Sequence, residues 1–227
     1  MSDPNEAKRR AAHAALAFVP EHGVVGLGTG STAKLFIDAV AELVKKGRKL
    51  VGVATSEQSR SQAQALGIPL LDDAGPWPID VCVDGADEVS AALDLIKGGG
   101  GCQTREKIVN QASKFNVIVV DESKLSQRLG ERWPVPIEVL AFGERSTAAA
   151  LARVGEVKLR LKDGAPWRTD ANNFIYDVAA GPIDAPDRLD RELRAIPGVV
   201  ETGLFCDRAD VVLVAAADGI RELRRSR

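Results

Sequence analysis

Val24-Val25-Gly26-Leu27-Gly28-Thr29-Gly30-Ser31-Thr32 passes from a β-branched apolar run into a loop of glycines and hydroxyls, and the residues beyond it change period. Leu35, Ala39 and Leu43 recur every four positions, with Phe36, Val40 and Val44 beside them, as on an amphipathic helix. A strand that turns through small residues into a helix is a building unit of an open α/β sheet. In such a loop the free backbone N–H groups, the hydroxyls and the positive end of the helix dipole converge, which suits a phosphate or carboxylate. Ser and Thr also cap helices without binding anything, but three hydroxyls and two glycines exceed what a cap requires. The loop is not a Walker motif, since no Lys precedes its Ser, and Ser31 stands where the register Gly26-x-Gly28 calls for a third Gly. The next strand ends in Thr55-Ser56 and not in the acid that holds a nucleotide ribose. A phosphorylated small metabolite fits better than a dinucleotide.

The same alternation extends outward. Residues 6–18 are Ala-rich and helical in pattern, Leu50–Ala54 reads as a second strand, and Thr55-Ser56 opens a helix that stops near Gly67. Ile68–Leu71 reads as a short strand, Ile79–Val83 as a buried one, Thr104 or its neighbours as a helix start, and Val117–Val120 as a further buried strand. From about Pro134 the rhythm changes: strand 135–140, helix 145–154, strands 156–162 and 173–179, helix 186–195 and strand 199–205. That order is ferredoxin-like. The expected fold class is therefore α/β, a Rossmann-like, mostly parallel sheet flanked by helices, with a smaller ferredoxin-like α+β domain inserted. Residues 1–130 and 206–227 would form the larger domain and 131–205 the smaller, with Ala209–Ala215 returning to the main sheet.

Composition excludes several classes of function. At 227 residues and 45% hydrophobic content the chain can bury a substantial core. A net charge of −2 and few, scattered aromatics give no nucleic-acid footprint. No apolar run approaches the roughly 18 residues of a membrane span, and the first residues lack a signal-peptide pattern, so a cytoplasmic protein is expected. Cys82, Cys102 and Cys206 are too far apart for a zinc or redox motif and read as reduced thiols. The presence of only His13 and His22 argues against a histidine-rich metal site.

Two clusters carry the chemistry. Asp84-Gly85-Ala86-Asp87-Glu88 follows Ile79–Val83, and Lys97-Gly98-Gly99-Gly100-Gly101, with Glu106 beyond, follows Leu93–Ile96. Both stand where buried strands end, which in an open α/β sheet borders the ligand crevice. A desolvated carboxylate moves a proton on carbon next to a carbonyl, and an ammonium stabilises the enolate oxygen that forms; Asp84, Asp87, Lys97 and Glu106 supply these groups. Taken singly, the two aspartates could cap a helix, Lys97 could be a solvated charge and Glu106 could complement a helix dipole. Four consecutive glycines beside them suggest backbone needed close to a ligand. Asp84, Asp87 and Glu88 would alternatively hold a divalent metal, although Lys97 would compete for the same carboxylates.

These motifs together resemble ribose-5-phosphate isomerases of type A over nearly the whole chain. The resemblance rests on Gly26–Thr32, Asp84–Glu88, Lys97–Gly100 followed by Thr104-Arg105-Glu106-Lys107, and Ile196-Pro197-Gly198-Val199-Val200 with Gly203-Leu204-Phe205. It implies that Glu106 moves a proton between C2 and C1 of an open-chain sugar phosphate through an enediolate, with no metal or organic cofactor. It implies that Asp84, Asp87 and Lys97 contact the sugar, Lys97 offsetting enediolate charge and Asp84 helping to open the ring. Thr29, Gly30, Ser31, Thr32, Gly85, Ala86, Gly98, Gly99 and Gly100 would line the substrate pocket, with Lys124 a further contact and Lys8 approaching the phosphate. The family implies a homodimer or tetramer in the non-oxidative pentose phosphate pathway. Gly101-Cys102-Gln103 and Ala171-Asn172-Asn173 depart from the family's pattern, and Cys102 is expected to be a buried, passive thiol. A sugar-phosphate sensor would need the anion loop but not the carboxylates and lysine, and an amino-sugar phosphate deaminase would want a histidine in the motif region, where neither His13 nor His22 falls.

Overall fold

The computed structural model describes residues 4–225. In chain order the elements begin with α1 (Pro4–Ala15), β1 (His22–Leu27), α2 (Ser31–Lys45), β2 (Lys49–Ala54), α3 (Glu57–Ala65) and β3 (Ile79–Asp84). Two short strands, β4 (Glu88–Val89) and β5 (Leu95–Ile96), precede α4 (Gln103–Ala112) and β6 (Asn116–Asp121). Then come β7 (Val135–Val139), α5 (Glu144–Leu151), β8 (Glu156–Leu159), β9 (Leu161–Lys162), β10 (Ala165–Pro166) and β11 (Phe174–Ala179). The chain closes with α6 (Pro186–Arg194), β12 (Val199–Thr202), β13 (Leu204–Phe205), β14 (Val211–Ala216) and β15 (Gly219–Arg224). Two compact units result: one holds the chain up to Ala86, Arg105–Lys124 and Arg208 onward, the other Asp87–Thr104 and Leu125–Asp207.

The first unit is built on a six-stranded sheet in the order β15-β14-β6-β3-β1-β2, parallel except for the edge strand β15. Parallel strands covered on both faces are continuously apolar, and β14, Val211–Ala216, is buried at every residue. On one face Phe36, Ile37 and Val40 of α2 and Ala11, Ala12 and Ala15 of α1 pack on Val25, Leu27, Val81, Val83, Val117 and Val119. On the other, Val109 of α4 packs with Val53, Ile79 and Cys82. From β1 the chain moves outward to β2, then back across to β3 on its other side. The carboxyl ends of β1 and β3 therefore flank the topological switch point, where open α/β sheets place ligands.

The second unit contains a four-stranded antiparallel sheet, β12-β7-β11-β8, in the ferredoxin-like order read from the sequence. Leu151 of α5 and Leu193 of α6 join Ile137, Val139, Val178 and Leu204 in its core. Several elements differ from the sequence reading. Ile68–Leu71 contributes one bridge, Gly52 to Leu70, because Pro69 has no N–H with which to extend a ladder. Residues 199–205 break at Gly203 into strands of two sheets, since a Cβ at Gly203 would lie 2.3 Å from the Lys97 carbonyl oxygen. Leu95–Ile96 pairs antiparallel with β4 and β13 and is not a strand of the parallel sheet.

Asp80, in β3, accepts hydrogen bonds from Lys114 Nζ at 2.7 Å and from Val24 N at 2.9 Å. The Lys114 bond first and the Val24 N–H second hold its carboxyl below the ordinary value. A carboxyl depressed in the folded state stabilises the fold above its unfolded pKa and loses that contribution as pH falls through the folded value. Asp80→Asn is therefore expected to lower Tm by a few degrees at neutral pH, the partly exposed pair contributing under about 1 kcal/mol. In thermal melts the deficit should shrink toward zero below the ordinary carboxylate range; an unchanged deficit there would show that the ion pair is not its source.

Candidate active site

In the first unit, the loop after β1 is clamped onto the end of β3. Gly28 N donates to Val83 O at 3.0 Å, and Asp84 Oδ1 accepts from Thr29 N at 2.9 Å and Gly85 N at 2.7 Å. Asp84 is 3% exposed, and these N–H groups compensate the burial of its carboxylate. A Cβ on Gly28 would lie 2.3 Å from Asp84 Oδ1 and 2.6 Å from its Cα, so a glycine is required. Gly30, at φ +110°, turns the chain into α2.

The hydroxyls of this loop divide. That of Thr29 shares a hydrogen bond with Thr55 Oγ1 at 2.7 Å and donates to Ser56 Oγ at 2.9 Å, while Ser59 Oγ donates to Gly28 O at 2.6 Å. Thr29 thus fastens the loop to the start of α3. Ser31 is exposed and Thr32 half-buried in the first turn of α2, where helix geometry leaves N–H groups directed out of the end.

The position of Glu106 follows from the packing of α4. Ser113 bridges to Ile79 at the start of β3, and Val109 packs with Cys82 farther along the same strand, so α4 runs antiparallel to β3. Val109 also closes over Gly26 of β1, whose Cβ would come 3.0 Å from Val109 Cγ1. Glu106 precedes Val109 by three residues on the same helix face, about 5 Å nearer the carboxyl ends of the strands. Asp84 follows Cys82 by two residues, about 6.6 Å in the same direction. The two carboxyl groups therefore lie level at the end of the sheet. Glu106 is 3% exposed. Its neighbour Arg105 donates to Glu57 Oε1 at 2.6 Å, a bond that is the main cause holding Glu57 below the ordinary carboxylate value.

Lys124 ends a short 3-10 helix directly after β6, the neighbour of β3, and so stands at the same end. Arg10 Nη2 donates to Ala216 O, the last residue of β14, at 2.6 Å. That bond brings the α1 turn bearing the half-buried Lys8 to the same end of the sheet.

In the second unit, Asp87 and the glycine turn are one construction. Asp87 N donates to Ile96 O and Lys97 N to Gly203 O, each at 2.9 Å. Asp87 Oδ2 accepts from Gly99 N at 2.6 Å, and Gly101 N donates to Gly98 O at 2.9 Å. Gly98 and Gly101 have φ of +102° and +78°. Lys97 is 3% exposed, its ammonium 5.5 Å from the centroid of the Phe205 ring, a cation–π arrangement. Glu88, weighed from the sequence as a metal ligand, accepts instead from the backbone of Gly130, Arg132 and Trp133 at 2.9–3.3 Å and holds that loop. Cys102 is half-buried and not buried, since it lies in the loop leading into α4, and its thiol reaches Gly100 O at 3.5 Å.

Sequence reasoning missed the supports: the Thr55, Ser56 and Ser59 hydroxyls, and Arg160 with Asp177, which face the glycine turn. An arginine in the middle of the strand-like run 156–162 was the sign that the sequence offered of the latter.

A family model described as Ribose 5-phosphate isomerase A (phosphoriboisomerase A) matches residues 51–219. The ribose-5-phosphate isomerase A of Thermomicrobium roseum is 46% identical over 224 residues, 97% of this chain and 94% of that one. That of Rhodopseudomonas palustris strain TIE-1 is 47% identical over 232 residues, 99% and 100% of the two chains. Among solved structures, ribose 5-phosphate isomerase A from Methanocaldococcus jannaschii aligns with a TM-score of 0.92 at 40% identity, covering 98% of this chain and 100% of that one. A D-ribose-5-phosphate isomerase in complex with phospho-erythronic acid aligns with a TM-score of 0.95 at 40% identity, covering 99% and 100%.

Gly28→Ala tests the clamp on Asp84. The added methyl must displace the carboxylate or the loop, and a loss of about 1–3 kcal/mol in urea unfolding is expected. Parent-like stability would mean that the loop and Asp84 are not packed this closely.

Proposed function

Since the chain belongs to the ribose 5-phosphate isomerase A family and is an aldose–ketose isomerase, we propose that it interconverts ribose 5-phosphate and ribulose 5-phosphate with Glu106 as the proton carrier. The observation that carries this reading is a buried Glu106 level with Asp84 at the carboxyl ends of the parallel strands.

In the forward direction the Glu106 carboxylate takes the proton from C2 of the open-chain aldose. The C2–H electron pair becomes the C1–C2 double bond, and the carbonyl pair moves to O1, which takes up a proton. Glu106 then returns its proton to C1 while the O2 hydroxyl loses its own, giving the ketose. Burial suits the task, because a desolvated carboxylate is a stronger base. Lys97 supplies the positive charge that offsets the enediolate, and Asp84 assists ring opening. Asp87, Gly85, Ala86 and Gly98–Gly100 contact the sugar; Gly30, Ser31 and Thr32 line the pocket with the Thr29 backbone. Lys8 and Lys124 approach the phosphate, an assignment supported by their end of the sheet. No metal or organic cofactor enters this reading.

The same reading places the protein in the cytoplasm, in the non-oxidative branch of the pentose phosphate pathway, as a homodimer or tetramer. Among the described residues no helix is long and apolar enough to cross a membrane. Leu140 and Phe142, 48% and 95% exposed, offer apolar surface for self-association.

Glu106→Gln keeps the side chain's shape and removes the base. Turnover of ribose 5-phosphate is expected to fall about a hundredfold or more, while binding of the substrate persists in calorimetry. Near-parent turnover would remove Glu106 from this role. Parent activity is also expected to survive a chelator; its loss would favour the divalent-metal use of the carboxylates.

A further inference from the structure

The glycine turn is gripped from its carbonyl side by one guanidinium. Arg160, between β8 and β9, has a side chain only 11% exposed. Its Nε donates to Asp177 Oδ2 at 2.9 Å and its Nη2 to Asp177 Oδ1. This side-on pairing with β11 leaves Nη1 facing away, and Nη1 donates to Gly98 O at 2.6 Å and Gly99 O at 3.2 Å. A strut between strands needs only the Asp177 side; the two further bonds reach a turn outside that sheet. Trp167 stacks near the guanidinium, 5.6 Å from its carbon to the ring centroid. The far end of the turn rests on the same platform, since a Cβ on Gly101 would lie 3.0 Å from Ile175 and 3.3 Å from Trp167.

A trans peptide directs its N–H opposite to its C=O. The Gly98–Gly99 peptide is accordingly held from both sides, by Arg160 on its oxygen and by Asp87 on its N–H. Because Arg160 also binds Gly99 O, the Gly100 N–H is turned to the side where Asp87 lies. We propose that Arg160, aimed by Asp177, is a positioning residue for the isomerisation: it fixes the two glycine peptides so that Gly100 N–H and the adjoining Lys97 are presented to the substrate oxygens. The inference rests on the reading of the Lys97–Gly101 turn as part of the catalytic site. Lysine cannot replace Arg160, because its three N–H groups radiate from one nitrogen, whereas the carboxylate and the two carbonyls are met by separate nitrogens of the guanidinium.

The test uses the full chain, with ribose 5-phosphate turnover and thermal melts measured in parallel. Arg160→Ala is expected to lower kcat about thirtyfold or more, from misplaced donors, with little change in KM. Guanidinium at a sub-denaturing concentration should restore part of the lost kcat, and Arg160→Lys should not. Asp177→Asn, which preserves shape, should give a smaller fall in kcat and serves if Arg160→Ala does not fold. A folded Arg160→Ala with parent kcat overturns the proposal, as does a loss that follows Tm and resists guanidinium. Lys97→Met separates the two readings: parent turnover in that variant would sink the site itself. An inactive Lys97→Met beside a fully active Arg160→Ala would sink only the role of Arg160.

Discussion

The Asp84 carboxylate, accepting the N–H groups of Thr29 and Gly85, is the constraint around which the first unit is arranged. It joins the ends of two adjacent parallel strands at the switch point, and it leaves no room for a side chain at Gly28. The hydroxyls of Thr55, Ser56 and Ser59 close the loop from the opposite side. A loop held at both flanks keeps the start of α2, with its outward-directed N–H groups, in one place. Such preorganisation lets a site bind an anion without reordering its own backbone.

A common device recurs among the acids of this stretch. Asp84, Asp87 and Glu88 each accept backbone N–H groups, and the burial of Asp84 and Glu88 is thereby compensated by peptide dipoles, which cannot move away as a lysine side chain can. The device also sorts their roles. Glu88 accepts three backbone donors and is 0% exposed, which makes it an anchor for the 130–133 loop. Asp87 accepts from the glycine turn through Oδ2, at a position that is only half-buried. Three acids within five residues therefore do different work, and their spacing does not distinguish them.

Support for the glycine turn comes from residues far away in the chain. Arg160 and Asp177 lie some sixty to eighty positions beyond Gly98, and Arg160 reaches the Gly98 and Gly99 carbonyls only because the fold of the second unit sets it beside them. Glu138, buried in β7, similarly accepts from Thr104, Thr169 and Asn173, three residues of the second unit that are distant from it in the chain. The departure Ala171-Asn172-Asn173 leaves this network in place, with Asn172 at φ +62° carrying the turn.

The parallel sheet was legible because its strands are apolar on both faces, and α2 because its apolar residues repeat at helical spacing; both signals are local. The ferredoxin-like order was legible for the same reason, strand by strand. β15 was not: Gly219–Arg224 carries three charged residues beside only two large apolar ones, and it forms the edge of the sheet, paired with β14 on one side. Leu95–Ile96 misled, because two buried apolar residues look alike in a parallel strand and in a short antiparallel one. Residue types and local spacing by themselves picked out the acids, the lysine and the glycines proposed for the chemistry. Only tertiary packing decided that the Thr29 hydroxyl faces inward, that Glu88 holds a loop, and that Arg160 grips the glycine turn, because each is a hydrogen bond between segments distant in the chain, and hydrogen-bond geometry leaves no periodic trace in a sequence.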